Sequence, residues 1–355
     1  MSTTASDPSL GGIRDQSRRA AAVTVARMYY GAGQSTQEIA SYLRVSRSTV
    51  SRLLTYAREA GVVEVRVHET ADHISGVTAD LVARYPRVRF QVIGAPAAAS
   101  SGRINAAVAQ YGAHAVAAMV EPGMTIGVAW GNTVRSLIDH LHPRAVNDVR
   151  VVQLNGAGNS TSFGLAYASD IIVRFAENFA GTPFIFPVPA FFDHAATKEA
   201  LWKERSIRQI LAMQESADLL LFSTGALVGD PASHIYTAGY LSDREVLDLR
   251  AAGVVGDIGT VFFDEKGSGE LPINRRSSGP PLSRYARSRR SVCVAAGASK
   301  VPGLVAALSA GYISDLIVDN RTAVELVRRA PLRLGLGQPG TGQPGRARRD
   351  NGFGP

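Results

Sequence analysis

Residues 86–332 alternate short apolar runs with segments of helical periodicity, and this alternation constrains the fold more than any other feature. The runs at 151–154, 219–222 and 292–296 have the length and continuous apolar character of strands buried on both faces. Helices between successive strands favour a parallel sheet, because a parallel connection needs a long crossover. The pattern predicts a doubly wound α/β domain whose ligand crevice lies at the carboxyl ends of its strands.

The N-terminal block, residues 14–70, predicts helices followed by one strand pair. A first helix is expected over 15–30, with Ala22, Val25, Ala26 and Tyr29 on one face. Ser35 to Glu38 has the capping-box pattern and predicts a short helix over 36–43.

A third helix follows, which Ser46 can cap, with Val50, Leu53, Leu54 and Ala57 spaced i, i+3, i+4 and i+7. Gly61 ends this helix, and the alternating residues 62–67 predict a wing strand. The block therefore reads as a winged helix-turn-helix.

The outward face of the third helix carries hydroxyls and guanidiniums and no acid before Glu59. Arginine can grip guanine with two parallel hydrogen bonds, and serine or threonine can reach bases or phosphates. The face is typical of a helix that reads the major groove; the alternative is a three-helix packing module with solvated arginines. The candidate DNA-binding residues are Ser46, Arg47, Ser48, Thr49, Ser51, Arg52, Thr55 and, on the wing, Arg66.

The positive charge is concentrated in this block. The whole chain has a net charge of +8, and between residues 14 and 68 nine arginines face four acidic residues. A basic surface attracts phosphates, although charge alone identifies no partner. Double-stranded DNA is the expected macromolecular partner.

Polar residues gather where the predicted strands of the second block end. Residues 130–133 follow a strand at 124–129 and begin a helix, where free backbone amides favour an anion. Lys300 also precedes a helix, and a cation there is unfavourable unless an anion lies nearby. Asp257 lies between apolar stretches and needs a partner, either a ligand hydroxyl or a loop amide. The candidate ligand-binding residues are Gly131, Asn132, Thr133, Asn155, Gly156, Thr224, Gly225, Asp257 and Lys300.

Several other features narrow the class of protein. The single cysteine, Cys293, excludes an intrachain disulfide and is expected in a buried strand. No apolar run approaches the roughly 18 residues of a membrane span, and the N-terminus lacks the features of a secretory signal, so a cytoplasmic protein is expected. Asp264 is expected in a turn. His114, His140, His194 and His234 are expected at ordinary surface or loop positions, and no metal or cofactor is expected.

The remaining segments are expected to connect or flank the two domains. Residues 1–13 and 333–355 are rich in small and turn-forming residues and are expected to be disordered tails. Residues 71–85 are expected to be a linker, helical over 72–84, between a DNA-binding domain (14–70) and an effector-binding and oligomerisation domain (86–332).

The sequence resembles the SorC family of sugar-responsive transcriptional regulators, and its deoxyribonucleoside-regulator branch in particular. The motifs, which stand in order between residues 16 and 330, are ARMYY, QEIASYLRVSRSTVSRLLTYAREAGVVEVRV, GVAWGNTV, VVQLNG, GVVGDIGTVFFDEKG and AAGASK. The resemblance implies a winged helix-turn-helix joined to an effector domain of the glucosamine-phosphate isomerase and CoA-transferase-like fold. It also implies that the loop at residues 130–133 holds the phosphate of a sugar effector. The position of Lys300 before a helix leads us to expect its side chain against that phosphate or an adjacent oxygen.

One residue departs from that branch. The resemblance leads us to expect a lysine, able to capture an aldehyde sugar covalently, at the position of Asn155. Asparagine cannot form a Schiff base, so a reversibly bound effector is expected and its identity cannot be copied from the branch.

Together these features predict a non-enzymatic transcriptional regulator whose operator binding is controlled by a phosphorylated sugar or polyol. A homodimer or homotetramer on a palindromic operator is expected. The alternative is a sugar-phosphate isomerase or CoA-transferase-like enzyme on the same fold, with Asp257, Asp264 or Lys300 moving protons. The sequence shows no nucleophile elbow and no histidine spacing for a metal, which favours the regulator.

Overall fold

The computed structural model describes residues 18–31, 33–63, 71–95, 99–159, 165–227, 229 and 233–330. The chain divides into two compact units, residues 1–69 and residues 70–355. Residues 64–67 of the predicted wing strand, which include Arg66, and both predicted tails lie outside the described residues. Within the described residues, no helix combines the length and apolarity needed to span a bilayer.

The first unit contains three helices: α1 over residues 18–26, α2 (Thr36–Leu43) and α3 (Arg47–Glu59). The capping box predicted at α2 is present, with the Ser35 hydroxyl accepting from the Glu38 amide at 3.2 Å and the Glu38 carboxylate accepting from the Ser35 amide at 2.7 Å. The Ser46 hydroxyl likewise accepts from the Thr49 amide at 3.1 Å, so it caps α3 as predicted.

The core of this unit follows the predicted apolar spacing, since Val25, Ile39, Val50 and Leu54 are buried together. The first helix differs from its prediction at its end, where a π-helical turn covers Arg27–Gly31. A π turn contains more residues than an α turn and rotates the following side chains. Tyr29, which was expected on the buried face, is therefore 38% exposed.

The second unit is built on a seven-stranded parallel sheet, as predicted, and also contains a three-stranded antiparallel sheet that was not predicted. The strands in chain order are β1 (Arg89–Ile93), β2 (Thr125–Val128), β3 (Arg150–Gln153), β4 (Thr182–Phe184), β5 (Leu219–Phe222), β6 (Thr224–Gly225), β7 (Val254–Ile258), β8 (Val261–Asp264), β9 (Arg290–Ala295) and β10 (Asp315–Asp319). The large sheet has the order β1-β10-β9-β5-β2-β3-β4, and the small sheet has the order β6-β7-β8.

The strand order contains one reversal. From β2 the chain adds β3 and β4 toward one edge, whereas β5 returns to the other side of β2 and the chain then adds β9 and β10 toward the opposite edge. The loops that follow β2 and β5 therefore diverge from each other. In open α/β sheets this divergence creates a crevice at the carboxyl ends of the two strands.

Helices cover both faces of the sheet. They are α4 (Ala71–Arg84), α5 (Ser101–Met119), α6 (Asn132–Ile138), α7 (Leu165–Asn178), α8 (Ala195–Leu201), α9 (Arg205–Ser216), α10 (His234–Thr237), α11 (Asp243–Ala251), α12 (Leu282–Arg287), α13 (Val301–Ser309) and α14 (Asn320–Arg329). Successive strand residues serve opposite faces: Leu219 and Leu221 join the core beneath α5, α6 and α7, whereas Leu220 and Phe222 join the core beneath α4, α13 and α14.

Three local predictions match the structure. The helix expected over 72–84 is α4, and its Leu81 is buried against the second unit's core. Cys293 is buried in β9. Asp264 closes a turn, because its carboxylate accepts from the amides of Lys266 at 2.9 Å and Ser268 at 2.8 Å.

Two glycines provide a test of the packing. A Cβ at Gly127, in the centre of β2, would lie 2.6 Å from a methyl of Leu154 and 2.9 Å from a methyl of Leu220. Gly127→Ala should therefore lower the free energy of unfolding by about 1–3 kcal/mol through overpacking. A Cβ at Gly76, on the exposed side of α4, would meet nothing within 4 Å, so Gly76→Ala should raise it by about 0.5–1 kcal/mol. Urea denaturation measures both; equal effects would contradict the packing described.

Candidate functional site

A cavity of about 590 Å³ lies at the reversal of the sheet. The segments that line it follow the carboxyl ends of β2, β3, β5, β9 and β10. Eight of the nine predicted ligand-binding residues line this cavity: Gly131, Asn132, Thr133, Asn155, Thr224, Gly225, Asp257 and Lys300. The structure thus brings together residues that lie up to about 170 positions apart in the chain.

Gly156 is the predicted residue that does not line the cavity. Its amide donates to the Ser278 hydroxyl at 2.9 Å, and a Cβ at this position would lie only 2.4 Å from the carbonyl oxygen of Val188. The glycine is therefore required because two backbone segments approach closely behind the cavity wall.

Lys300 connects the two diverging loops. It ends a short 3₁₀ turn (Ala298–Lys300) after β9, and its Nζ donates to the Thr133 hydroxyl at 2.9 Å and to the Ser223 hydroxyl at 2.8 Å. An ammonium has three N–H donors, so one remains for a ligand. Burial lowers the pKa of Lys300 to about 8, opposed by the neighbouring Cys293 and Asp257.

Asp257 is a buried residue that lines the cavity, with 7% of its surface exposed. Burial raises its pKa to about 6, opposed by hydrogen bonds from the Thr260 amide and Tyr236 hydroxyl and by Lys300. The Tyr236 bond is long, at 3.4 Å. The loop amide that was one predicted partner is thus present, and the carboxylate still borders the cavity. A Cβ at Gly225 would lie 1.8 Å from the Asp257 carboxylate, so only glycine fits there.

Asn155 and Thr224 each carry a polar atom without a hydrogen-bond partner in the part of the chain that the structure describes. Both side chains are buried, with 1% of each residue exposed. Among the described residues, neither the Asn155 Oδ1 nor the Thr224 Oγ1 has a hydrogen-bond partner. Because both residues line the cavity, these atoms are available to a ligand.

Two aromatic residues, Trp130 and His234, line the cavity and stack on tyrosines that do not line it. The Trp130 indole donates to the carbonyls of Asn155 at 3.1 Å and Gly156 at 3.0 Å and stacks on Tyr240. The imidazole of His234 stacks on Tyr167 with the ring centroids 4.7 Å apart.

The prediction that His234 is an ordinary surface or loop residue was therefore wrong. His234 lines the cavity, and burial lowers the pKa of its imidazole. The aromatic residues that surround it in sequence, Tyr236 and Tyr240, were the available signal. At the far end of the cavity, Ser101 and Asn105 of α5 and Arg321 of α14 were also missed.

The second candidate site is the outward face of α3, in the first unit. The side chains of Ser46, Arg47, Ser48, Ser51, Arg52 and Thr55 are exposed, and Thr49 is partly buried. Two weak contacts orient the arginines: the Arg47 Nε donates to the Thr36 hydroxyl at 3.2 Å, and the Arg52 Nε donates to the Ser48 carbonyl at 3.4 Å. The face therefore offers guanidiniums and hydroxyls to solvent.

Comparison with known proteins gives a match in each unit, and the match in the second unit covers most of the chain. Residues 70–328 match the family described as "Putative sugar-binding domain", and residues 35–63 match the bacterial regulatory proteins of the crp family. The chain is 36% identical to the deoxyribonucleoside regulator of Bacillus subtilis over 88% of this chain and 99% of the relative. It is 26% identical to the sorbitol operon regulator of Klebsiella pneumoniae over 86% of this chain and 97% of the relative.

The solved structures that the chain resembles are also those of transcriptional regulators. A domain of a possible sugar-binding transcriptional regulator from Arthrobacter aurescens is 38% identical, with a TM-score of 0.68 over 74% of this chain and 100% of that one. The full-length sorbitol operon regulator SorC from Klebsiella pneumoniae is 25% identical, with a TM-score of 0.66 over 87% of this chain and 98% of that one.

The raised pKa of Asp257 makes a prediction about stability. The folded protein binds this proton more tightly than the unfolded chain, whose carboxyl has a pKa of 3.8. The group therefore destabilises the fold when it is ionised, and the penalty develops between about pH 4 and pH 6. Asp257→Asn should remove the penalty, so its stability advantage over the parent should grow across this range by about 3 kcal/mol.

Urea denaturation at several pH values measures this difference. Asp248→Asn, on the exposed side of α11, is the matched control. An advantage of Asp257→Asn that stays constant from pH 4 to pH 7 would show that the buried carboxylate carries no such penalty.

Proposed function

Because the chain belongs to the SorC family of transcriptional regulators and carries that family's sugar-binding domain, we propose that a phosphorylated sugar or polyol controls its binding to operator DNA. The observation that carries the proposal is the presence, in one chain, of an exposed serine- and arginine-bearing helix and a buried cationic cavity. In this proposal a domain over residues 14–70 binds the operator, and a domain over residues 86–332 binds the effector.

The DNA-binding half of the proposal rests on α3. Short hydroxyl side chains allow a helix to enter the major groove deeply, and arginines there can bond guanine O6 and N7. Arg47 and Ser48 lie in the first turn of α3, which is the part of a recognition helix that contacts base edges. Arg52 lies one turn later and is placed for a base or a phosphate.

The effector-binding half rests on Lys300 and the loop after β2. The first-turn amides of α6 have no intrahelical partners, and the Thr133 hydroxyl and Lys300 ammonium lie beside them. We assign the phosphate to this group of donors. Position 155, where the resemblance leads us to expect a lysine, is an asparagine, so the effector binds reversibly, without an imine.

Regulation requires the effector to bind one arrangement of the protein more tightly than another, because a ligand with equal affinity for both shifts nothing. A homodimer or homotetramer presents two α3 helices to a palindromic operator, and half-site spacing then follows from the symmetry. A change in the spacing of the helices is the simplest way for the effector to alter DNA affinity.

The enzyme alternative is not favoured. Asp257 and Lys300 could exchange protons with a bound sugar, but the named relatives of the full chain are transcriptional regulators. An isomerase or transferase would also leave the exposed face of α3 without a role.

Paired variants test whether operator binding and effector binding depend on separate sets of residues. Arg47→Ala and Arg52→Ala should each weaken operator binding by about 1–3 kcal/mol and leave effector binding unchanged, because they lie in the first unit. Thr133→Ala and Lys300→Ala should weaken effector binding and leave DNA affinity without effector unchanged. Arg208→Ala, an exposed arginine on α9, controls for the loss of one positive charge.

The operator is first obtained by selection from a random duplex library, and the effector by a thermal-shift screen of phosphorylated sugars and polyols. Fluorescence anisotropy and calorimetry then give the two affinities. If all four variants lose both activities together, the proposed separation is wrong.

The lowered pKa of Lys300 predicts how effector affinity depends on pH. The protonated amine binds phosphate, and its fraction falls as the pH rises through about 8. Affinity for the effector found in the screen should therefore fall about tenfold or more between pH 7 and pH 9.5, a range in which the phosphate remains a dianion. Lys300→Met should bind weakly at both pH values; a parent affinity that does not change with pH would contradict the assignment of phosphate to Lys300.

A further inference from the structure

Three buried polar side chains in the cavity have hydrogen-bonding capacity that the protein does not use. The Asn155 Oδ1 and Thr224 Oγ1 have no partner among the described residues. The Asp257 carboxylate receives the Thr260 amide and one long bond from Tyr236, although an ionised carboxylate offers about four acceptor positions. We call Asn155, Thr224 and Asp257 the polar floor of the cavity.

This arrangement is unfavourable in the absence of a ligand. A buried polar atom without a partner destabilises the folded state, whereas an apolar group of the same shape carries no such penalty. Valine has nearly the shape of threonine and leucine nearly that of asparagine, so packing alone does not require the polar residues. The floor gains its hydrogen bonds when a ligand supplies the complementary groups.

The position of the floor relative to Lys300 indicates which part of a ligand it meets. Thr224 directly follows Ser223, which Lys300 contacts, and Gly225 pairs with Asp257 across β6 and β7. Asn155 follows β3, on the other side of β2. Because neighbouring strands lie about 4.8 Å apart, Thr224 and Asn155 lie on either side of the end of β2, roughly 10 Å apart, and Thr133, which Lys300 contacts, follows the strand between them.

The chemistry of the floor identifies the groups it recognises. The carboxylate of Asp257 and the carboxamide oxygen of Asn155 accept hydrogen bonds, and the Thr224 hydroxyl donates or accepts. The ligand must therefore supply donors at several points along its length, and it must be small enough to place an anionic group at Lys300. Hydroxyl groups on successive carbons of a sugar or polyol meet both requirements.

We propose that the polar floor forms hydrogen bonds with the hydroxyl groups of the effector. The effector is then a fully hydroxylated sugar phosphate or polyol phosphate, and its deoxy analogues bind much more weakly. This inference rests on the proposed function and specifies its ligand class. A site built to bond a hydroxyl discriminates strongly against an analogue without it, because the buried polar group is then left unpaired.

The test compares matched pairs of ligands. Calorimetry measures the affinity of the full chain for ribose 5-phosphate and 2-deoxyribose 5-phosphate, for glucose 6-phosphate and 2-deoxyglucose 6-phosphate, and for inorganic phosphate. In at least one pair the hydroxylated member should bind at least tenfold more tightly. Equal or tighter binding of the deoxy member in both pairs overturns the proposal.

Two nearly isosteric variants test whether the polar floor causes the difference in affinity between the hydroxylated and deoxy ligands. Thr224→Val or Asn155→Leu should reduce the affinity ratio of the discriminating pair at least fivefold, mainly by weakening the hydroxylated member. Ser299→Ala, an exposed residue on the cavity rim, is the control and should leave the ratio unchanged. A ratio that is unchanged in both floor variants overturns the assignment to the floor.

Two further readouts separate the possible failures. Without ligand, Thr224→Val should unfold at the same urea concentration as the parent or a higher one, because it removes an unpaired hydroxyl; a large destabilisation would show that the hydroxyl serves the fold. If neither sugar phosphates nor inorganic phosphate bind, the proposed function fails and the inference fails with it. If phosphate binds and Lys300→Met abolishes this binding while no pair is discriminated, only the inference fails.

Discussion

The divergence of the chain at β2 and β5 is the constraint on which the rest of the second unit depends. Two adjacent parallel strands whose connections run in opposite directions cannot cover their own carboxyl ends, so an opening remains there. The side chain of Lys300 spans this opening by bonding one hydroxyl from each diverging loop. The cavity wall is therefore held together by a partly buried cation that has two hydroxyl partners among the described residues, and the small sheet places Asp257 beside it.

The cavity concentrates residues that oppose stability. Lys300, which is partly buried, has a lowered pKa, and the buried Asp257 has a raised one. Two further buried side chains have polar atoms without a partner among the described residues. Each arrangement would be improved for the folded state alone by an apolar residue of similar shape. Local choices that conflict with the surrounding core are expected where a protein binds something. The conflict at four neighbouring positions is stronger support for a ligand site than the cavity's size.

The sequence predicted the elements whose formation depends on local signals. The capping box at Ser35, the cap at Ser46 and the continuous apolar strand at 219–222 are determined by a few neighbouring residues, and the structure contains all three. Most predicted cavity residues were also found, because the carboxyl ends of parallel strands meet at one edge.

The missed features depend on contacts between distant residues. The π turn after α1 cannot be distinguished from an α turn by apolar spacing, and the two-residue strand β6 is too short to show alternation. Gly156 was assigned to the ligand because a glycine after a strand can approach either a ligand or another backbone segment, and here it approaches Val188. His234 was missed because its stacking partner Tyr167 comes from α7, 67 positions away in the chain.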